Sequence, residues 1–177
     1  MIVSGGVESL SLRRLARKLG VTAPAFYSHV DSKHELIRAV AQIEMERLAA
    51  DFESERDADP IERIRAQSRA YVAYARENPE LFRLILLAPP DLEVASLPPD
   101  APLDETTHAF ALASRAVDDA ISAGAIHSDN PLLVALTLWS GAHGVATVLS
   151  LGLGLPRELE EAMTDEITDR ILAGYRT

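Results

Sequence analysis

The side chains between Leu10 and Leu36 have types and a spacing that suit hydrogen bonding to anions. Hydroxyl, imidazole, guanidinium and ammonium groups of this reach donate to phosphate oxygens. The small side chains of Ala23, Pro24 and Ala25 lie between these donors in the sequence. Their small size would let the backbone of this segment approach the base edges and thymine methyl groups of a duplex closely. The polar candidates in this segment are Ser11, Arg13, Thr22, Tyr27, Ser28, His29 and Lys33.

Catalytic chemistry has little support elsewhere in the chain. There is no cysteine, so thiolate catalysis, a disulfide framework and zinc–thiolate sites are excluded. His108, His127 and His143 do not share a metal-ligand spacing, and no phosphate-binding glycine loop or placeable Ser-His-acid set is present. We therefore expect a binding protein without enzymatic activity, resident cofactor or metal.

The elements that must position the donors are two short helices and the start of a third. Ser11 is a good N-cap, and Leu12, Leu15, Ala16 and Leu19 follow at helical spacing as one apolar face. Gly20 ends this helix, Val21 is expected to fill the turn, and Thr22 caps a second helix with Pro24 near its start. Phe26 and Val30 point inward, and Asp31-Ser32-Lys33 opens the third helix, so the segment predicts a DNA-binding helix-turn-helix.

Charge is divided unevenly along the chain. The net charge is −10, yet residues 1–38 hold six basic and three acidic residues, a net charge of +3. The remainder holds eleven basic and twenty-four acidic residues, a net charge of −13. A basic head on an acidic body can neutralise DNA phosphates while the body is repelled from the duplex.

The segment from Leu10 to Leu36 resembles the DNA-binding domain of the TetR family of transcriptional regulators. The resemblance centres on Leu19-Gly20-Val21, Phe26-Tyr27, His29 and Ser32-Lys33. It implies that Ala23, Pro24 and Ala25 face bases, and that Arg13 reaches the groove from the supporting helix. It further implies phosphate contacts from Thr22, Tyr27, His29 and Lys33.

A full helix normally precedes this segment in that family, but only Met1 to Ser9 do so here, and Ser4-Gly5-Gly6 is a poor helix former. We expect an incomplete first helix, with the working protein starting upstream. A weakened head is the alternative, and it would expose Leu15, Leu19 and Phe26.

The rest of the chain predicts further helices, so the fold class is all-α: a helix-turn-helix head at 1–40 and a helical regulatory and dimerisation domain at 41–177. Helices are expected from Ser32 to Phe52, from Pro60 to about Glu77, from Pro79 through Leu87, and from near Asp104 to Gly124. Residues 88–104 contain five prolines and cannot be helix or central strand. This segment is interpreted as an exposed linker, with a lid over a pocket as the alternative.

The segment from Leu132 to Leu155 has no Asp, Glu, Lys or Arg and is long enough to span a bilayer. Its serines, threonines, glycines and His143 favour a buried bundle helix shared with a partner subunit over a membrane anchor. Arg157 to Leu172 predicts an amphipathic closing helix. In a TetR-like protein the last two helices of each subunit would form a four-helix dimer interface, with candidates Gly141, Gly144, Val148, Leu159, Met163, Ile167 and Ile171.

Trp139 and His143-Gly144 also resemble a TetR-family C-terminal domain named for its Trp-His-Gly residues. His143 alone is interpreted as a core histidine. An effector pocket could be lined by Tyr71, Tyr74, Phe82, Phe110, Trp139 and His143, although aromatics at helical spacing more often belong to a core.

The hypothesis is a cytoplasmic homodimeric regulator, most simply a repressor, that binds a palindromic DNA site and responds to a small apolar or amphipathic effector, with no membrane partner. The alternative is a helical ligand-binding or interaction module whose incomplete head no longer binds DNA.

Overall fold

The computed structural model describes residues 10–54, 59–87 and 108–176, and all regular structure in these ranges is helical. The expectations about the helix before Ser9 and about the proline-rich segment 88–104 fall outside the described residues. The helices are α1 Leu12–Lys18, α2 Ala23–Tyr27, α3 Lys33–Ser54, α4 Pro60–Glu77, α5 Pro79–Phe82, α6 His108–Ser122, α7 Pro131–Leu149 and α8 Arg157–Ala173, with a π-helical turn Arg83–Leu87 directly after α5.

The chain divides into two compact units, Met1–Glu44 with Asn78–Ser96, and Met45–Glu77 with Leu97–Thr177. The segment after Asn78 groups with the N-terminal residues because Leu84 packs in one cluster with Leu10 and Ile37. The predicted division of the chain into residues 1–40 and 41–177 does not include the grouping of the segment from Asn78 with the N-terminal unit.

In the first unit, α1 and α2 bury Ala16 and Phe26, as their apolar spacing predicts. Leu19 was expected on the same apolar face, and this was wrong: Leu19 is 61% exposed. The helix ends at Lys18, and Leu19 is its C-cap residue. Val21 is also exposed rather than filling the turn.

In the second unit, α4, α6, α7 and α8 enclose one apolar core. Its α4 and α6 contributions include Ile61, Ile64 and Val117, and its α7 and α8 contributions include Leu138 and Leu172. Gly124 ends α6 with φ +70, a conformation that favours glycine, and Asn130 caps α7 by accepting from the Leu133 N–H at 3.1 Å.

Helix α7 is long enough and apolar enough to cross a membrane on composition alone. One face of it is instead buried in the second unit through Val134, Ala135, Leu138, Ala142, Val145 and Ala146. The opposite face is exposed in the single chain, with Leu133 54% exposed. A helix apolar on all sides with one face left open is what a core helix shared with a partner subunit requires.

Helix α8 buries Thr164, Thr168 and Leu172 rather than its apolar stripe. The two threonine hydroxyls donate to backbone carbonyls one turn earlier, at 3.0 Å and 2.8 Å, so their burial leaves no hydroxyl proton unbonded. Of the apolar stripe that begins at Leu159, Leu159 itself is exposed, whereas Ile167 and Ile171 are partly buried and lie against Gly141 of α7.

Candidate nucleic-acid interface and effector site

The turn between α1 and α2 is set by local backbone chemistry. Gly20 has φ +72, and its N–H donates to the Arg17 carbonyl at 3.2 Å, while the Val21 N–H donates to the Ala16 carbonyl at 3.1 Å. This pair of bonds is a Schellman motif, which needs a left-handed residue at the position that Gly20 occupies. The turn therefore ends α1 sharply and allows α2 to begin three residues later.

Two hydroxyl side chains cap the short helices. Ser11 Oγ accepts from the Arg14 N–H at 3.4 Å, and Thr22 Oγ1 accepts from the Ala25 N–H at 3.3 Å. Because each oxygen acts as the acceptor, each hydroxyl proton can still donate to a phosphate. Ser28 differs, since its Oγ donates to the Ala25 carbonyl at 2.8 Å and its proton is already used.

The start of α3 is also fixed by side chains. Ser32 Oγ accepts from the Glu35 N–H at 3.0 Å, and a Glu35 carboxylate oxygen reaches back to accept from the Asp31 N–H. This closely resembles a capping box, which stabilises a helix start. Lys33, the first residue of α3, is therefore held beside the first-turn amides that favour an anion.

The predicted contact residues of the first unit share an open surface. Phe26 alone among the α2 side chains is buried, and it meets the Tyr27 ring edge-to-face at a centroid distance of 6.4 Å. This burial orients α2 so that Pro24 and Ala25 are exposed. Ser11, Arg13, Thr22, Tyr27, Ser28 and His29 are also exposed, and Ala23 and Lys33 are partly buried.

The second unit brings four of the six predicted pocket residues together. Tyr71 of α4 lies with its hydroxyl 2.8 Å from Nδ1 of His143 on α7. The Trp139 and His143 rings are 5.3 Å apart between centroids, and Phe110 of α6 meets Trp139 edge-to-face at 6.4 Å. We call Tyr71, Phe110, Trp139 and His143 the aromatic cluster.

Burial decides the protonation of this cluster. It raises the pKa of the Tyr71 hydroxyl, which also interacts with the Trp139 indole, and it lowers the pKa of His143. The Tyr71 hydroxyl and Nδ1 of His143 share a hydrogen bond, and the imidazole tautomer decides which of the two atoms donates.

The other two pocket candidates are placed differently. Tyr74 is buried on α4, one turn from Tyr71, and belongs to the same unit as the aromatic cluster. Phe82 is fully buried in the first unit.

The dimer candidates divide into two kinds. A Cβ added at Gly141 would lie 2.7 Å from Ile171 Cδ1 and 3.3 Å from Ile167 Cγ1, so this glycine permits close packing of α7 on α8 within the chain. A Cβ added at Gly144 would meet nothing within 4 Å. Gly144 and Val148 are exposed, Leu159 is exposed on α8, and Met163, Ile167 and Ile171 are partly buried.

Sequence reasoning missed the residues that join α4 to α8. Arg65 Nε donates to Asp169 at 2.7 Å, and Arg69 Nε donates to Asp165 at 2.6 Å. Both bonds raise the pKa of the arginine concerned. The four-residue spacing of both pairs is the signal that could have suggested matched faces.

Comparisons with known proteins agree on one family. Residues 1–40 match the family model of bacterial regulatory proteins of the tetR family, and residues 64–174 match the tetracyclin repressor-like C-terminal domain. A Mycobacterium tuberculosis protein named as an uncharacterized HTH-type transcriptional regulator, Rv0681, is 27% identical over 96% of this chain and 73% of its own length.

Solved structures show the same fold. A Rhodococcus sp. RHA1 protein of unknown function superposes with a TM-score of 0.79 at 28% identity, covering 99% of this chain and 90% of that one. The TetR family transcriptional regulator PfmR from Thermus thermophilus superposes with a TM-score of 0.68 at 21% identity, covering 97% and 92%. The all-α fold with an N-terminal helix-turn-helix is thereby confirmed.

Proposed function

This chain belongs to the TetR family of DNA-binding transcriptional regulators, and on that basis we propose that it is a homodimeric repressor released from DNA by a small effector. The observation that carries the proposal is the exposed α2 face, where the small Pro24 and Ala25 lie beside the donors Tyr27 and His29. A helix N-terminal half with small side chains fits the major groove, and the flanking donors suit phosphates.

We assign the groups on this surface by their chemistry. Ala23, Pro24 and Ala25 approach bases, and Arg13 enters the groove from α1. Thr22, with its hydroxyl proton available, contacts phosphate together with Tyr27, His29 and Lys33. Ser11 also keeps its hydroxyl proton for phosphate, whereas Ser28 contributes only as an acceptor or through its position.

Dimerisation through α7 and α8 is supported by the open face of α7. We call Leu133, Thr137, Ser140, Gly144 and Val148 the α7 strip. Its Thr137 and Ser140 hydroxyls each donate to a carbonyl one turn earlier at 2.7 Å, so a partner can cover them without leaving a hydroxyl proton unbonded. Gly144 allows close approach of a second helix, and the exposed Leu159 of α8 extends the apolar surface.

A two-fold dimer carries two heads to a palindromic site, with half-sites about 34–36 Å apart for one-turn spacing. An effector at the aromatic cluster lowers DNA affinity only if it binds more tightly to a conformation that does not fit this spacing. The protein acts in the cytoplasm, with no membrane partner.

The test is fluorescence anisotropy with a duplex from the region upstream of the protein's own gene, repeated between 50 and 200 mM salt. Lys33→Gln should weaken binding on all sequences and reduce the salt slope by about 1, because it removes one phosphate contact, whereas Arg13→Gln removes a groove contact and should relax sequence specificity. Arg157→Gln changes the net charge equally but lies on α8, paired with Glu161, and serves as the matched control.

Ala25→Glu should abolish specific binding, since it places a bulky anion on the face assigned to the groove. A reporter driven by the same upstream region should rise when the gene is deleted, as a repressor requires. Absence of salt-sensitive, sequence-specific duplex binding by the wild-type protein would contradict the proposal and favour the ligand-binding module without DNA affinity.

A further inference from the structure

The residue that follows the C-cap of α7 is a leucine that lies open on the surface. Leu151 is 67% exposed, the largest exposed fraction among the large apolar side chains in the described ranges. Its backbone is held in place, because its N–H donates to the Val148 carbonyl at 3.2 Å and the preceding Ser150 keeps a right-handed helical conformation. Leu151 therefore continues the winding of α7 and lies in line with the end of the α7 strip.

Leu151 and Leu133 lie at opposite ends of one line along α7. Eighteen residues separate them, which is five turns at 3.6 residues per turn, so both side chains project on the same side. Between them the line passes Ser140 and Gly144, which are small and exposed. This surface therefore has a bulky apolar side chain at each end and a shallow middle.

These four positions are symmetric about Ala142. Leu133 and Leu151 each lie nine residues from Ala142, and Ser140 and Gly144 each lie two residues from it. When two identical helices pack antiparallel about a two-fold axis at this level, each residue faces the partner's residue at the same distance on the other side of the axis. Leucine then meets leucine at both ends, and Ser140 meets the partner subunit's Gly144 in the middle.

Helix packing geometry favours this register over its neighbours. Helices that cross at about 20°, with axes about 8–10 Å apart, stay within side-chain reach over several turns, so both ends can touch. An axis at the level of Gly144 would instead set Leu151 against the partner subunit's Thr137. Leu133 would then face the chain beyond the partner's Leu151, and the two most exposed leucines of this surface would not meet.

The same surface carries no charge. Residues 131–156 contain no Asp, Glu, Lys or Arg, although residues 39–177 carry a net charge of −13. In a two-fold contact the acids of one subunit would face those of its copy and repel them. The Thr147 hydroxyl donates to the His143 carbonyl at 2.7 Å, as the hydroxyls of Thr137 and Ser140 do one turn earlier. A second copy can therefore cover this face without burying a charge or an unbonded hydroxyl proton.

We propose that two copies of this chain pack α7 against α7 in antiparallel fashion about a two-fold axis at the level of Ala142, with Leu133 of each subunit against the partner subunit's Leu151. This inference rests on the proposed dimer and specifies how its two subunits meet. It also gives the turn after α7 a role. Gly152 has φ +70, a left-handed conformation that ends the helical winding directly after Leu151 and leaves this end of the surface open to the partner.

The chain has no cysteine, so engineered cysteines report the register without background. Leu133→Cys combined with Leu151→Cys should form covalent dimers on mild oxidation, since facing Cα atoms within about 7 Å can be bridged. Within one subunit these positions are about 27 Å apart at 1.5 Å per residue, so the bridge must join two subunits. Each single variant should lose this product, because the two copies of either position are also about 27 Å apart in the proposed register.

Leu133→Cys combined with Ser140→Cys is the matched control. Both positions are exposed on the same surface, but the register keeps Leu133 about 16 Å from the partner subunit's Ser140 along the helix, so they should not be joined. Equal linkage in this control, or efficient linkage of any single variant, would overturn the proposal. Sedimentation equilibrium of the reduced samples separates the two proposals. A dimer in which Leu133 and Leu151 do not link refutes the register alone, whereas a monomer at all concentrations refutes the dimer itself.

A charge pair tests the same contact without oxidation. Leu133→Lys and Leu151→Glu should each raise the dimer Kd at least about tenfold, because each sets an unpaired charge against a leucine of the partner subunit. Combined in one chain, the two charges face each other across the interface, and the Kd should recover at least about fivefold from the weaker-binding single variant. A double variant no better than that single variant would overturn the proposal. Cosedimentation of the wild-type protein with phosphatidylcholine vesicles in place of dimerisation would also overturn it and assign this face to a bilayer.

Discussion

The replacement Gly144→Leu tests the proposed dimer without disturbing the subunit. Gly144 is exposed on α7, and a side chain added there would meet nothing within 4 Å inside the chain. Leucine is also a better helix former than glycine, by about 0.7–1 kcal/mol. The variant subunit should therefore fold normally and should gain slightly in intrinsic helix stability.

The dimer should respond in the opposite direction. If the α7 strip packs against a second subunit, the added side chain overpacks a close helix contact, which costs about 1–3 kcal/mol. A two-fold interface contains the substitution twice, so the cost is roughly 2–6 kcal/mol. At 1.4 kcal/mol for each tenfold change, the dimer Kd should rise roughly 30-fold to ten-thousand-fold.

Sedimentation equilibrium over a range of protein concentrations measures this Kd, and circular dichroism checks the fold. Ala39→Leu adds similar bulk to an exposed position on α3 and should leave the Kd unchanged. Gly141→Ala provides a contrast, because its Cβ would lie 2.7 Å from Ile171 Cδ1 and should destabilise the subunit itself. A folded Gly144→Leu protein whose Kd stays within threefold of wild type would refute the assignment of the α7 strip.

Three further predictions follow from the contacts described above. Because burial lowers the pKa of His143, the unfolded chain binds a proton at this residue more readily than the folded chain does. Its contribution to stability is therefore present above about pH 6.5 and is lost as the pH falls below that value. Between pH 7.5 and 5 the Tm should fall less for His143→Gln than for the wild type, and an equally steep fall would contradict the lowered pKa. Asp169→Asn removes the partner of Arg65 on another helix and should lower the free energy of unfolding in urea by up to about 1 kcal/mol. Glu166→Gln, whose partner Arg170 lies on the same helix, should lower it by less. Equal decreases for the two variants would show that the ion pair between α4 and α8 adds no stability of its own. Gly20→Ala places a Cβ on a residue with φ +72 and should lower stability by about 1 kcal/mol, which faster hydrogen exchange of the α1 and α2 amides would report. In Gly20→Asn these amides should exchange more slowly than in the alanine variant, because asparagine tolerates the left-handed conformation better. The reverse order would argue against a left-handed residue at this position.

The helix-turn-helix could be predicted almost completely from the sequence. Ser11 and Thr22 cap their helices by bonding an N–H three residues ahead, and Gly20 ends α1 through carbonyls at most five residues back. These interactions are complete within one or two turns, so residue types at fixed spacing specify them. The same locality explains why the TetR resemblance could be recognised from this segment alone.

The second unit was predictable only in outline. Helical periodicity placed its helices and named Tyr71 and His143 as candidates, but these residues are 72 positions apart and their 2.8 Å hydrogen bond depends on how α4 and α7 cross. Phe82 had the same aromatic character and similar spacing, yet the chain turns at Asn78-Pro79 and buries it in the first unit. Helical periodicity predicts which face of a helix is buried, but it does not predict which other helix packs against that face.

The residues between Leu10 and Leu36 thus show what this sequence determines by itself: a basic, capped helix-turn-helix and the family to which it belongs. Only the tertiary structure separated Gly141, which is packed against Ile171, from the open Gly144. The physical reason is that caps and turns close over a few residues, whereas packing depends on helix register and crossing, which are set by contacts along the whole chain.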